Sequence, residues 1–272
     1  MKAKNNKNDL SKQEQFIKTH KQNKRQIISY RFVLLILFLV LWEVTANTGI
    51  IDSFFFSSPS RVLVLFIELC MDFSIFFHIG ITLWETVLSF VLVFVISLLV
   101  STILWYSPKL SAVMEPYLVV LNSLPKSALA PLFIVWLGTG TTTIIVAGIS
   151  VALFGSIISF YSGFKQCDEE KITLIYTLGG NNKDAFRKVV LPNSIPILLS
   201  TTKINIGLAL VGVIIGEFLA ARRGLGYLII YGSQVFQLNL VITSIILLCI
   251  IAMGFYKGTQ MIENTIKKRL NL

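Results

Sequence analysis

Of 272 residues, 54% are hydrophobic and only 14% charged, which is more apolar than a soluble domain of this length needs to fill its core. The net charge of +10 falls between long apolar runs rather than on a polar, aromatic-studded surface, and this argues against a nucleic-acid binder. Cys70, Cys167 and Cys249 are widely separated and lack Cys-x-x-Cys or Cys/His spacing, so neither a disulfide framework nor a zinc site is indicated.

Residues 1–31 read as a flexible basic tail. From Lys2 to Gln26 the chain is rich in Lys, Asn and Gln and has no apolar face to bury, so it cannot fold alone; anionic lipid is a natural resting surface for it. A signal peptide at Arg31 to Ala46 is the competing reading. The basic region is too long for one and no convincing cleavage site follows.

The apolar body occupies residues 32–272 and is expected to be all-α and polytopic. A bilayer core needs about 20 apolar residues in a helix, because lipid offers backbone amides no partner. On that basis about six spans are predicted, over residues 32–51, 79–106, 113–137, 142–164, 195–218 and 240–256. Between the first two, Ser57-Ser58-Pro59-Ser60 followed by Val62, Leu63, Leu65, Phe66 and Leu69 predicts an interfacial helix.

Charge bias orients the spans. The basic tail, Lys109, the group Lys165, Lys171, Lys183, Arg187 and Lys188, and the final Lys257, Lys267, Lys268 and Arg269 all fall on one side, which the positive-inside rule makes cytoplasmic together with both termini. Arg61, Arg222 and Arg223 fall on the other side.

Within the third span, Pro116, Pro125 and Pro131 each delete an amide donor, which predicts a kinked helix facing a cavity. Lys126 between two of them is costly in lipid, so it faces the bundle, water or carbonyls; an anion-pathway contact and a structural anchor for the broken helix are its two readings. Glu43, Glu85 and Glu217 also lie in or near spans, where interface or structural roles are favoured over a pathway role. Gly207, Gly212 and Gly216 with Ala209 allow close backbone approach in the fifth span, for ordinary helix packing or a dimer seam.

The connection over about residues 165–194 is the most polar stretch between spans. Asp168-Glu169-Glu170 suits a helix start, with Ile172, Ile175 and Leu178 continuing at helical spacing, and Gly179-Gly180 suits its end. Asn181 or Asn182 then caps a second helix in which Phe186, Val189 and Val190 share a face while Lys183, Arg187 and Lys188 do not. Pro192 limits its continuation. Such a helix-turn-helix with a protruding aromatic suits insertion into a groove on a soluble partner; a solvated loop at the lipid surface is the plainer alternative.

Enzymatic readings find little support. Neither an HExxH zinc motif nor a G-x-x-x-x-G-K-[ST] phosphate loop occurs, and the histidines, His20 and His78, are far apart. The chain therefore carries no ATPase or catalytic site of its own.

Four motifs resemble those of the permease subunits of binding-protein-dependent ABC importers of the sulfonate, taurine and nitrate type. They are Gly179 followed after nine residues by Val189-Val190-Leu191-Pro192, the segment Leu124 to Gly138, Gly216-Glu217-Phe218, and Gly224-Leu225-Gly226-Tyr227-Leu228. Two positions depart from the pattern: Thr173-Leu174-Ile175 stands where Glu-Ala-Ala is usual, and Glu85 where an arginine is expected.

The resemblance implies a type I importer permease core that carries a small solute, a sulfonate, nitrate or related anion, across a bacterial plasma membrane. It further implies a permease homodimer, an extracytoplasmic solute-binding protein, and an ABC ATPase that binds the ATP and grips a coupling loop at Gly179, Phe186, Leu191 and Pro192. Lys126 and Glu217 become candidates for the translocation pathway. The competing class is an ATPase-independent secondary transporter or channel, and thiamine-precursor-like heterocycles are an alternative cargo.

Overall fold

A computed structural model describes residues 12–270. They divide into two compact units that meet between Val64 and Leu65.

In the first unit, α1 (Lys12–Asn47) is one uninterrupted helix. The expectation of a flexible tail through Arg31 is revised from Lys12 onward, and residues 1–11 lie outside the described residues. Lys, Gln and Arg propagate a helix well, and once a span has nucleated each added residue gains a backbone bond. The span's outward side chains are apolar all round, with Phe32 60% and Leu34 70% exposed, as lipid solvation requires. After the single turn α2 (Ser53–Phe56), the chain enters α3 (Pro59–Met71). Glu43 organises this entry: its carboxylate accepts from the Ser60 N–H at 3.0 Å, the Ser60 hydroxyl at 2.8 Å and the Asn47 amide at 2.9 Å. It thus satisfies an orphan donor at the start of α3, a structural role of the kind expected.

The second unit holds α4 (Ser74–Tyr106), α5 (Pro108–Ser123), α6 (Lys126–Leu137), α7 (Thr141–Lys165), α8 (Glu169–Thr177), α9 (Asn182–Ala185), α10 (Leu191–Ala220), α11 (Leu225–Gln234) and α12 (Leu238–Leu270). Helix directions follow from hydroxyl contacts. Ser89, Ser97 and Ser101 of α4 donate to the carbonyls of Ile145, Leu153 and Ile157 of α7, each acceptor lying 56 residues beyond its donor. A constant offset means that α4 and α7 run parallel. The chain between them must therefore cross back, and it does so as the pair α5 and α6, bent by 94°.

The third span is thus broken more sharply than a kink. Only Pro125, with Leu124 in extended conformation before it, coincides with the break; Pro116 and Pro131 are accommodated inside α5 and α6. A proline disfavours the helical region for its predecessor, and of the three predecessors only Leu124 leaves it. With this pair counted as one crossing, six candidate spans emerge over the two units.

Helices α7 and α10 run antiparallel and touch backbone to backbone. A Cβ at Gly212 would stand 2.8 Å from Gly148 Cα, and one at Gly216 2.8 Å from Ile144 Cα, whereas Gly207 faces open space. Lipid tails are as apolar as leucine, so this close van der Waals contact, rather than exclusion of water, holds the pair. The packing reading of Gly212 and Gly216 is therefore borne out, and Gly207 stays available to other surfaces. At the far end of the bundle, Glu263 of α12 pairs with Lys203 of α10 at 2.7 Å and with Lys267 at 2.8 Å.

Span boundaries move outward. The fifth apolar run belongs to a 39-residue helical stretch over Asn182–Ala220, and the sixth extends through α12 to Leu270. Pro192 does not end its helix. A π-helical turn over Phe186–Val190 lets the Leu191 N–H bond back to the Phe186 carbonyl, and the ring of Pro192 sits at the start of α10. The wider turn absorbs the missing donor that would otherwise break the ladder.

Candidate functional site

The 168–194 connection is a rigid hairpin of short helices. Asp168 caps α8 by accepting from the Glu170 N–H at 3.0 Å. At the other end Gly179 adopts φ +83°, its N–H bonds to the Tyr176 carbonyl at 3.0 Å, and the Gly180 N–H bonds to the Ile175 carbonyl at 2.9 Å. This pair of bonds is the Schellman closure, which needs a left-handed residue at the position of Gly179. Gly180 is required for space: a Cβ there would stand 2.5 Å from Ile175 Cγ2.

Asn181 then opens α9 through a complete capping box. Its side chain accepts from the Lys183 and Asp184 N–H groups, and Asp184 accepts from the Asn181 N–H at 3.1 Å. Tyr176 donates to Asn182 at 2.9 Å across the turn.

Phe186 does not protrude. It is 8% exposed, with ring centres of Trp105, Phe164 and Tyr106 at 5.1, 5.2 and 5.5 Å. Its apolar ring finds a ready-made aromatic socket at the ends of α4 and α7, so it anchors the hairpin to the bundle. Leu191 packs on the same cluster, while Gly179 and Pro192 are exposed.

The side chains that project are Leu174 at 56% and Leu178 at 75% exposure, with Tyr176 at 43%. Ile172 turns inward onto the Phe186 cluster instead. The predicted face of Ile172, Ile175 and Leu178 is thus split, because steps of three drift around a 3.6-residue turn; the i,i+4 pair Leu174 and Leu178 shares the outer face. The signal was present in that spacing, but the aromatic pattern drew attention to Phe186.

Cys167 lies buried beneath this hairpin, within the Phe186 cluster. Burial pushes its thiol pKa up, against a smaller opposing effect of Lys171.

Glu217 occupies a second, unrelated arrangement. It is 1% exposed near the end of α10; its Oε1 accepts from the Thr82 hydroxyl at 2.7 Å and its Oε2 from the Gly226 N–H at 2.5 Å. Thr82 in turn accepts from the Leu225 N–H at 2.9 Å, and the Gly224 N–H bonds to His78 Nδ1 at 3.0 Å. The carboxylate therefore caps the start of α11, satisfying donors that a helix N-terminus leaves open. The Gly-Leu-Gly motif has a steric origin: Gly224 has φ +113°, and a Cβ on it would lie 2.4 Å from the Glu217 carboxylate carbon. Helix α11 itself is absent from the sequence reading, which saw only a glycine loop; Leu225, Leu228 and the Gly224 start were its local signals.

Lys126 stands at the α5–α6 break, half-buried, its ammonium donating to the Asn122 carbonyl one turn before. That carbonyl is freed by the broken ladder, so the lysine is satisfied as a cation near a helix C-terminus. Lys126 and Glu217 sit in different local structures and share no hydrogen bond. Among the described residues no three His, Cys, Asp or Glu side chains converge as a metal site.

A broken span, hydroxyl-bonded parallel helices and a rigid hairpin between spans define a membrane transport subunit. Residues 93–258 match the family model described as binding-protein-dependent transport system inner membrane component, and the chain belongs to that family. It is 29% identical over 221 residues, covering 80% of this chain and 88% of the relative, to a protein of Haemophilus influenzae that bears the name of an ABC transporter permease. It is 24% identical over 233 residues to a Bacillus subtilis protein that bears the name of an aliphatic sulfonates transport permease, SsuC, covering 86% of this chain and 84% of that one. Its fold is that of a chain of the inward-facing MetNI methionine ABC transporter, with TM-score 0.62, 20% identity and coverage of 72% of this chain and 97% of the other. The protein is an ABC importer permease subunit of the type I fold, and it has no ATPase site of its own.

Proposed function

We propose that two copies of this chain form the pathway by which a small anion, a sulfonate, nitrate or related oxyanion, enters a bacterial cell. An extracytoplasmic binding protein delivers the solute, and an ABC ATPase drives the cycle by gripping the 168–194 hairpin. The charge bias sets the orientation, with both termini and the hairpin cytoplasmic. The sulfonate permease among the relatives supports the anionic cargo.

The observation that carries the coupling role is the contrast between a locked frame and a bare apolar edge. Gly179, the capping box and Phe186 hold the hairpin rigid, while Leu174 and Leu178 stand 56% and 75% exposed on it. A pre-ordered helix edge presenting two leucines at i,i+4 spacing suits a groove on a soluble partner. Leu191 and Pro192 extend the hairpin rigidly into α10, so a movement of the leucine edge would be carried into the span.

In the pathway, Lys126 lines the wall at the broken span, where its ammonium can release the Asn122 carbonyl and meet an anion. Glu217 acts elsewhere in the bundle, by holding α11 to α4.

Co-purification in mild detergent tests the assignment. The ATPase should accompany the wild type in stoichiometric amount and be lost from Leu174→Asp/Leu178→Asp, with membrane insertion retained. ATPase binding that survives this change, or solute uptake in membranes stripped of any ATPase, would overturn it and favour a self-sufficient transporter.

A further inference from the structure

At the end of the bundle where α4 and α7 begin and α10 ends, the 138–141 and 220–224 connections border a cavity of about 610 Å³, and Glu85 of α4 lines it. Glu85 and Glu217 are each 1% exposed and lie side by side. Thr82, which donates to Glu217 Oε1 at 2.7 Å, stands one helical turn before Glu85 on the same face of α4. The Glu85 carboxyl hydrogen-bonds to the Thr141 side chain and to Glu217, and its Oε2 is left without a partner among the described residues. No salt bridge reaches either acid among those residues.

A carboxylate has acceptors only, so two ionised glutamates cannot bond to each other; one of them must carry a proton. Their other partners tell which. Glu217 accepts from the Thr82 hydroxyl and from the Gly226 and Tyr227 N–H groups, a set of donors that suits the ionised form. Glu85 keeps the bare oxygen, which costs far less on a neutral carboxyl than on a charged one. The surrounding groups do not alter this balance. From α7 and the 138–141 connection the cavity receives threonines and no charge, while Arg222 and Arg223 stand at its exposed rim and pair with neither acid. Tyr227 of α11 contributes its N–H, and His78 of α4 is engaged by Gly224.

We propose that Glu85 and Glu217 form a proton-binding latch: Glu85 donates the shared proton to the Glu217 carboxylate, and that bond fastens α4 to α10 and, through Gly226, to the start of α11. Loss of the proton to water in the cavity sets two buried carboxylates side by side. Their repulsion parts α4 from α10 and frees the first turn of α11. The native state thus holds one more proton than the unfolded chain, in which the two acids are apart, so stability is complete at acid pH and falls as pH rises. His78 acts with the opposite sign, because its protonation removes the acceptor of the Gly224 N–H at acid pH. The latch depends on neither the cargo nor the ATPase.

The test uses the full chain in lipid nanodiscs, with the wild type beside Glu85→Gln, whose amide donates to Glu217 without a titrating proton. At neutral pH the wild type should show the infrared carbonyl band of an un-ionised, deuterium-exchangeable carboxyl that Glu85→Gln lacks. Relative to Glu85→Gln, its thermal midpoint should fall by roughly 3 °C per pH unit across the window of release, since one proton changes the folding constant tenfold per unit. Hydrogen exchange at Leu225 and Gly226, compared between the two at equal pH so that intrinsic rates cancel, should match at acid pH and be faster in the wild type at alkaline pH. Glu85→Ala should lose the band and the pH dependence alike, at a lower midpoint.

Absence of the band, its survival in both Glu85 variants, or a wild-type midpoint that tracks Glu85→Gln at every pH would overturn the proposal. Equal exchange at alkaline pH would mean that the proton does not fasten α11, and defeats the latch even with the band present. In a His78→Gln background the same slope should remain; a slope lost with His78 would assign the titration to the histidine instead.

Discussion

At Glu217 a single carboxylate serves two buried donors, so its removal leaves both the Thr82 hydroxyl and the Gly226 N–H unpaired. Each unsatisfied group costs about 1–3 kcal/mol, and Glu217→Ala should lower the thermal midpoint of the detergent-solubilised protein far more than Glu217→Gln, which keeps one acceptor. Gly224→Ala should be comparably damaging, since its Cβ meets that carboxylate at φ +113°, whereas Gly207→Ala, which meets nothing within 4 Å, should leave the midpoint unchanged. Cys167 supplies a pH test. Burial raises its pKa, so any stability it contributes is complete below the ordinary thiol value and is lost as pH rises through the raised folded value. Its maleimide labelling at neutral pH should be slower in the folded protein than in dodecyl sulfate and should accelerate only at more alkaline pH, followed by mass spectrometry. Equal rates would mean that the Phe186 cluster is open. The acidic residue and the glycines were visible as a motif; that they touch was not, because Thr82 lies 135 residues from Glu217.

The element scale is where local pattern and structure agree most closely. The α8 start at Asp168, its end at Gly179 and the new helix after Asn181 follow from capping and left-handed backbone chemistry, which act within a few residues. Gly179→Ala should therefore cost about 1–2 kcal/mol locally, reducing ATPase co-purification, while Gly179→Asn, which tolerates the left-handed region, should retain most of it. Three features escaped. The π turn before Pro192, the 94° break at Pro125 and the inward fate of Phe186 are each settled by which neighbour accepts a displaced group. Prolines 116, 125 and 131 look alike in sequence, yet one breaks its span and two do not. Shortening the π turn by deletion of Val189 should rotate the aromatic face, expel Phe186 from its socket and uncouple the ATPase without unfolding the spans, readable as increased protease access at the hairpin.

For the whole molecule, the constant offset between α4 and α7 makes the bent pair a single crossing, so the 138–141 connection and the 168–194 hairpin must open on opposite faces. Single cysteines placed at Gly138 and Asn182, in a background lacking Cys70, Cys167 and Cys249, should react with impermeant maleimide from opposite sides of sealed vesicles. Labelling from the same side would refute the crossing. The amino-acid sequence by itself determined that the chain spans a membrane, which apolar segments it has and where the polar hairpin turns, since hydropathy and capping are read over short windows. Only the tertiary structure decided that Glu217 is a cap, that Phe186 is an anchor while Leu174 and Leu178 form the exposed edge, and that Glu85 is buried beside Glu217. Those outcomes depend on helices from distant parts of the chain meeting, and the packing that joins them in lipid is steric rather than hydrophobic, leaving only faint marks in composition.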